Sequence, residues 1–258
     1  MTVRDRAAFD AAWGRCEAWL FAHSPIDHAA LRPPATAEEI ASLEEQLGFP
    51  LHPQLRALLE HHDGVMEYPE ATNHDAGAFL PVGYRLSSTD RIASQHQWLV
   101  AEAEMIAGIG GGEADPYGHA HRWVPFAQSI DGGIVFVDHH PGPAYGHVYE
   151  MGIGSGCDAV VWASSLTELF EELGACLETA APFQGTWPTP HELPSGHFCL
   201  TWGDGLRRER GDIQSRPPAR GPVILRPAVS RPFSAREARV VGRVPLSGPV
   251  APGVADAD

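Results

Sequence analysis

The stretch that decides this fold is Trp123-Val-Pro-Phe-Ala-Gln-Ser-Ile-Asp-Gly-Gly-Ile-Val-Phe-Val-Asp-His-His140. Its run Ile134 to Val137 is short, β-branched and aromatic, and is bounded by Gly and Asp, which is typical of a strand. We expect Trp123 to be buried where the central strands begin. Three potential metal ligands, Asp138-His139-His140, follow the run directly. The stretch is therefore either part of a metal centre or the end of a core strand.

The metal-centre hypothesis makes the chain a metal-dependent hydrolase that uses Asp138, His139 and His140. Metallophosphoesterases with this motif resemble it in three letters only, and they need further acids at strand ends to hold two metals. Asp131 is the one nearby candidate, and Pro141-Gly-Pro143 indicates a turn. We therefore expect the strand to end at Asp138, with both histidines on an exposed turn, and keep the hydrolase as the alternative.

Other catalytic and cofactor motifs are incomplete. Gly108-Ile-Gly-Gly-Gly112 lacks the ending of a phosphate loop, and the chain contains no lysine to bind a phosphate. Gly154-Ser-Gly156 lacks the outer glycines of a nucleophile elbow. The pairs His61-His62 and His119-Ala-His121 have neither H-E-x-x-H spacing nor a cysteine pair beside them. The sequence predicts no catalytic residues, no metal, no cofactor and no enzyme.

The charge favours a basic protein partner. The chain of 258 residues has a net charge of −15, and all 18 basic residues are arginine. Residues 1–203 carry 27 acids against eight arginines, whereas residues 204–258 carry ten arginines against six acids. Such an acidic body would repel nucleic acid and attract basic partners.

Nothing in the sequence indicates a membrane or an export signal. Its apolar runs are shorter than the roughly 18 to 20 residues that span a bilayer. The N-terminus lacks an apolar signal core, so we expect a cytoplasmic protein. The four cysteines stand far apart, as buried residues of a reducing compartment do.

The periodicity predicts an α+β fold, in which a mainly antiparallel sheet is covered by helices at the N- and C-terminal ends of the domain. Capping boxes at Thr36-Ala-Glu-Glu39 and Ser165-Leu-Thr-Glu168 predict two helix starts. The predicted helices cover about 5–22, 36–47, 53–62 and 165–177. The predicted strands cover about 78–84, 134–137, 147–149, 159–163 and 197–202.

The last part of the chain has a different composition. In residues 204–258, fourteen of 55 residues are Pro or Gly and Phe233 is the one aromatic residue. Such a composition buries too little apolar surface to offset chain entropy, so we predict an Arg/Pro-rich disordered tail.

The order of the segments resembles the SUKH superfamily, of Smi/Knr type. Residues 37–51 look like its opening helix and "E-x-x-L-G-x-x-L-P" turn, and Leu86–Ile92 like its "L-x-S-x-x-E-I" segment. Its "W-x-P-(I/F)-A-x-D-x-G-G…D" strands are similar to the stretch quoted first. His62-Asp-Gly64 stands where the family has N-G-G, and is shorter. The resemblance implies a SUKH-like domain over 1–183, an extension over 184–203 with room for one strand, and the tail 204–258.

The resemblance also implies a function. Members of this family are binding proteins: many bacterial ones are immunity proteins that neutralise toxins, often nucleases, and fungal relatives regulate cell-wall synthesis. It implies that Asp131-Gly-Gly133 is a turn and that no catalytic residue is to be carried over. We predict an immunity-type protein against a basic toxin, with regulation of cell-wall synthesis as an alternative.

The predicted contact residues are acids concentrated on the capped helix and around the turn after the next helix. Most acids of an amphipathic helix are simply its solvated face, but together these should attract a basic partner. They are Glu38, Glu39, Glu44, Glu45, Asp63, Glu67, Glu70 and Asp75.

Overall fold

The centre of the fold is an antiparallel sheet of five strands, seen in a computed structural model that describes residues 1–66, 73–108, 119–152 and 159–203. The strands lie in the order of the chain, each hydrogen-bonded to the next. They are β1 (Arg85–Leu86), β2 (Trp123–Gln128), β3 (Ile134–Asp138), β4 (Val148–Met151) and β5 (Val160–Ala163).

The helices precede, interrupt and follow the sheet, so the predicted α+β class is confirmed. They are α1 (Val3–His23), α2 (Pro25–Ala30), α3 (Ala37–Leu47), α4 (Pro53–His61), α5 (Thr89–Gly108) and α6 (Leu166–Thr179). In the part of the chain that the structure describes, no helix combines the length and the apolar character needed to cross a bilayer.

The quoted stretch forms the hairpin of β2 and β3. Trp123 pairs with Asp138 at one end and Gln128 with Ile134 at the other. The register shifts between Pro125 and Ala127. Proline has no N–H to donate to a ladder, which is why it is confined to sheet edges and bulges.

Strand β3 is covered on both faces, which explains its unbroken apolar run. Val135 and Val137 belong to the main core, together with residues of α1 and α6. Ile134 and Phe136 belong to a second cluster on the other face, with residues of α5. Trp123 packs against that second cluster and is half-buried rather than buried, so the expectation of full burial is wrong.

Two of the predicted helix starts follow from capping. Thr36 and Glu39 form the reciprocal box, and α3 ends at Gly48 with φ +77°, a left-handed conformation that glycine adopts without strain. Ser165 caps α6 by accepting from the Glu168 backbone. The Glu168 carboxylate, however, accepts from the backbone of Ser164, so this box is not reciprocal.

The predicted strand 78–84 is wrong. Its centre, Pro81–Gly83, is a 3₁₀ turn that brings Leu80 and Tyr84 into a single bridge. Val82 has φ +61°, so the chain cannot stay extended there. The strand starts only at Arg85.

Helix α5 was not predicted from the periodicity. Its buried positions include Gln95 and His96, polar residues that interrupt the apolar pattern. Both are satisfied by distant partners: Gln95 contacts Ser87 and Gln128, and His96 contacts a backbone carbonyl. Because these buried positions are polar, the buried face of α5 lacks the regular apolar periodicity that predicts a helix.

A second, two-stranded sheet follows α6. It consists of β6 (Trp187–Glu192) and β7 (Phe198–Gly203), and β7 lies one residue further along the chain than the predicted strand 197–202. Leu193, Cys199 and Leu200 belong to the main core. The Trp202 indole donates to the Phe79 carbonyl over 2.8 Å. The tail predicted at 204–258 lies outside the described residues.

Candidate functional site

The Asp138-His139-His140 motif lies at the end of β3. The Oδ1 atom of Asp138 accepts from the His140 backbone N–H over 2.7 Å. His139 is only 3% exposed, so the prediction that both histidines lie on an exposed turn is wrong for this residue. His140 is partly exposed.

Both ring nitrogens of His139 are engaged. Nε2 lies 2.7 Å from the His52 backbone nitrogen, a donor, so Nε2 has to be the unprotonated, accepting nitrogen. The proton is then on Nδ1, which donates to the Val137 carbonyl over 2.9 Å. Burial lowers the pKa of His139 to about 4, in keeping with this neutral ring.

These contacts bear on the hydrolase alternative. A metal ligand needs a free lone pair, and the only acceptor lone pair of His139 is used by the backbone of His52. Over the four described ranges, no three His, Cys, Asp or Glu side chains are grouped as metal ligands would be. In this geometry, His139 holds the chain at the start of α4 and has no lone pair left for a metal.

The Asp131-Gly-Gly133 segment is a tight turn, as the resemblance implies. Gly132 has φ +98°, and a Cβ atom on Gly133 would lie 2.4 Å from the Tyr84 hydroxyl. That hydroxyl donates to Glu150 over 2.6 Å, and Asp131 accepts from the Ser129 hydroxyl. The second glycine is therefore required by a close approach, since any side chain would displace Tyr84.

The His62-Asp-Gly64 segment is also structural. Asp63 is buried, accepts from the Thr89 backbone over 2.7 Å, and pairs with Arg32 at 2.9 Å. Gly64 has φ +71°, and a Cβ atom there would lie 2.5 Å from the Ser87 carbonyl carbon. This turn ties the end of α4 to the start of α5.

Some of the acids that were predicted as contacts are exposed, and others have structural roles. Glu38 and Glu45 are exposed on α3. Glu39 is exposed too, but its carboxylate closes the capping box of the same helix. Glu44 is partly buried, accepts from the Leu51 backbone over 2.9 Å and pairs with an arginine, so its role is structural.

The remaining predicted acids also differ in exposure. Asp75 is exposed, and its side chain faces two histidines, His74 at 3.5 Å and His191 at 3.9 Å. Asp63 is buried in the turn described above and is not available to a partner. Glu67 and Glu70 lie outside the described residues. Among the described residues, the exposed predicted acids are thus Glu38, Glu39 and Glu45 on α3 and Asp75 outside it.

Sequence reasoning missed a cleft of about 150 Å³ beside the Ser129–Gly133 turn. Three segments that are far apart in the chain form it: residues 75–85, which include the 3₁₀ turn, the β2–β3 turn, and β7. Only Asp75 among its residues was predicted as a contact. The cleft is lined by Asp75, Ala78, Val82, Gly83, Arg85, Ser129, Ile130, Asp131 and Thr201.

Comparison with known proteins identifies the central part of the chain. The sequence model of the SMI1 / KNR4 family (SUKH-1) matches residues 34–172. The match begins just before α3 and ends within α6, so it covers the whole five-stranded sheet. No individual curated protein matches the chain.

Proposed function

The chain belongs to the SMI1 / KNR4 family (SUKH-1), and from this we propose that it is a non-enzymatic protein-binding domain, an immunity-type protein that neutralises a toxin. The family match carries the proposal, since it spans more than half of the chain. The toxin is a basic protein, with a nuclease as the leading class. In this role the protein acts in the cytoplasm. Its partner is a protein, and it binds neither nucleic acid nor a membrane.

The charge of the chain supports this choice of partner. Residues 1–203 carry a net charge of −19, and acids such as Glu38, Glu45 and Asp75 are exposed. Nuclease sites that bind a phosphate backbone are basic, and attraction between opposite charges raises association rates. An inhibitor with this charge would therefore reach a basic toxin quickly.

The geometry at His139 favours binding over hydrolysis. To gain a metal ligand there, the chain would have to break the hydrogen bond from the His52 backbone, which joins β3 to α4. The alternative role in cell-wall synthesis, which the family resemblance implies, is also non-catalytic and would use the same scaffold.

The decisive experiment uses a toxin encoded by a neighbouring gene. Co-expression of this protein should restore growth of cells that produce the toxin, and the purified pair should form a complex. Raising salt from 0.1 M to 1 M shortens the Debye length from about 10 Å to about 3 Å, so association should slow markedly while dissociation changes less.

A matched pair of variants separates charge from contact. Glu38→Gln with Glu45→Gln should slow association, whereas Glu44→Gln should mainly reduce stability, because Glu44 holds the Leu51 backbone. Failure to protect cells from any neighbouring toxin would contradict the immunity role. An association rate that does not change with salt concentration would contradict electrostatic steering of the two proteins.

A further inference from the structure

The cleft beside the Ser129–Gly133 turn combines two carboxylates with apolar walls. Asp75 and Asp131 are both exposed, and both line it. Ala78, Val82 and Ile130 supply apolar surface around them. A buried water needs roughly 10–15 Å³, so a volume of about 150 Å³ is enough for the end of a long side chain.

The charges in the cleft favour a cation. The hydrogen bond from Ser129 lowers the pKa of Asp131, which keeps this carboxyl ionised near neutral pH. Arg85 also lines the cleft, but it donates to the His74 carbonyl, and its charge acts on the buried carboxyl of Asp27. Among the residues that line the cleft, the two exposed carboxylates exceed the one guanidinium, since the histidines that face Asp75, His74 and His191, are not part of the lining.

Two exposed apolar side chains stand at the cleft. Ile130 is 69% exposed at the tip of the β2–β3 turn, and Val82 is 56% exposed. Val82 is also β-branched with φ +61°, a conformation that glycine or asparagine would adopt at lower cost. Core packing does not require either side chain, since each is more than half exposed.

We propose that this cleft receives an arginine or lysine side chain of the partner protein, flanked in the partner's sequence by apolar residues. The proposal rests on the proposed function and names the site and the chemistry of recognition. The methylene stem of such a side chain suits the walls formed by Ala78 and Val82, and its charged head suits Asp75 and Asp131. The flanking apolar residues of the partner cover Ile130.

The test uses the full chain, labelled with ¹⁵N for NMR, and the peptide acetyl-Ala-Leu-Arg-Leu-Ala-amide as the probe. Its control is the same peptide with citrulline in place of arginine, which keeps the shape and removes the charge. We expect saturable shifts of the amides of residues 82–85 and 129–133. The citrulline peptide should bind about tenfold more weakly.

Protein variants give an independent readout. Asp75→Asn with Asp131→Asn should weaken arginine-peptide binding about tenfold, whereas the same change of charge at two exposed acids of α6, Glu171→Gln with Glu172→Gln, should leave it unaltered. Val82→Asn, which relieves the backbone conformation, should keep the fold and still reduce binding. Thermal unfolding of each variant checks that the fold is intact.

The possible outcomes test the cleft proposal and the immunity role separately. Three results would each contradict the cleft proposal. They are equal binding of the two peptides, chemical-shift changes spread over the whole acidic surface, and unchanged binding in the Asp75 and Asp131 variants. If the cleft variants still neutralise a cognate toxin at full affinity, the cleft proposal is wrong and the immunity role stands. If the peptide binds in the cleft but no toxin is neutralised, the immunity role is wrong.

Discussion

The backbone N–H of His52 donates to Nε2 of His139 over 2.7 Å, and so joins the start of α4 to the end of β3. The same imidazole donates through Nδ1 to the Val137 carbonyl. A protonated ring could not accept from His52, so this connection requires a neutral His139. The contact therefore makes the stability of the fold depend on pH.

Stability should fall as pH decreases from about 6.5 to about 4. Burial lowers the pKa of His139 to about 4, compared with about 6.5 for histidine in an unfolded chain. The unfolded state then binds more protons between these values, so the contribution is complete above pH 6.5 and is lost towards pH 4. For His139 it should be on the order of 3 kcal/mol, measured by urea unfolding across this range.

His139→Gln tests the assignment, because an amide can accept from His52 and donate to Val137 without titrating. The pH dependence should shrink in this variant and persist in the control His23→Gln, which removes an exposed histidine at the end of α1. Burial also lowers the pKa of His52 to about 4, so part of the dependence should remain. An unaltered pH profile in His139→Gln would show that the ring does not titrate as described.

Gly133→Ala should destabilise the fold by about 1–3 kcal/mol, the usual cost of overpacking. The added methyl would lie 2.4 Å from the Tyr84 hydroxyl and 2.9 Å from that of Ser129. Removing one obstacle with Tyr84→Phe should recover part of the loss, measured as a double-mutant cycle of thermal unfolding. Gly14→Ala is the matched control: this exposed position in α1 has nothing within 4 Å, so alanine should stabilise by about 0.5–1 kcal/mol.

The stacked rings of Trp123 and Phe136 should differ in their contribution to stability. Phe136 is 1% exposed, so Phe136→Ala should cost about 3–5 kcal/mol. Trp123 is half-buried, and its removal should cost less. Because the ring centroids are 4.8 Å apart at 22°, the two changes together should show a coupling of about 0.5–1.5 kcal/mol. Strictly additive losses in chemical denaturation would mean that the stack contributes nothing.

The β6–β7 hairpin should be part of the folding unit, because the buried Asp27 accepts from the backbones of Leu200 and Gly77. Asp27→Ala should destabilise by about 3 kcal/mol or more, since each stranded buried donor costs about 1–3 kcal/mol. Ending the chain after Phe183 should have a larger effect, because it removes core residues such as Leu200. Ending it after Gly203 should leave the unfolding midpoint unchanged. If this longer product is as unstable as the shorter one, the tail contributes to the fold.

Features that depend on near neighbours could be predicted from the sequence. The start of α3 at the Thr36–Glu39 box and its end at Gly48 require residues only a few positions apart. The strand Ile134–Asp138 is recognisable because its residue types favour an extended chain. The family and the fold class depend on the order of such local features, so both were predicted correctly.

The exposure and the hydrogen-bond partners of individual polar residues were decided only by the tertiary structure. His139 and its partner His52 are 87 positions apart, and Asp27 and Leu200 are 173 apart. Whether such a side chain is exposed or satisfies a distant backbone group depends on which segments meet, and periodicity carries no information about that. The cleft is a tertiary feature for the same reason, because three separate segments form it. The sequence by itself therefore determined the capped helices α3 and α6, the strand Ile134–Asp138 and the acidic charge, whereas long-range contacts decided which acids and histidines are structural and which can face a partner.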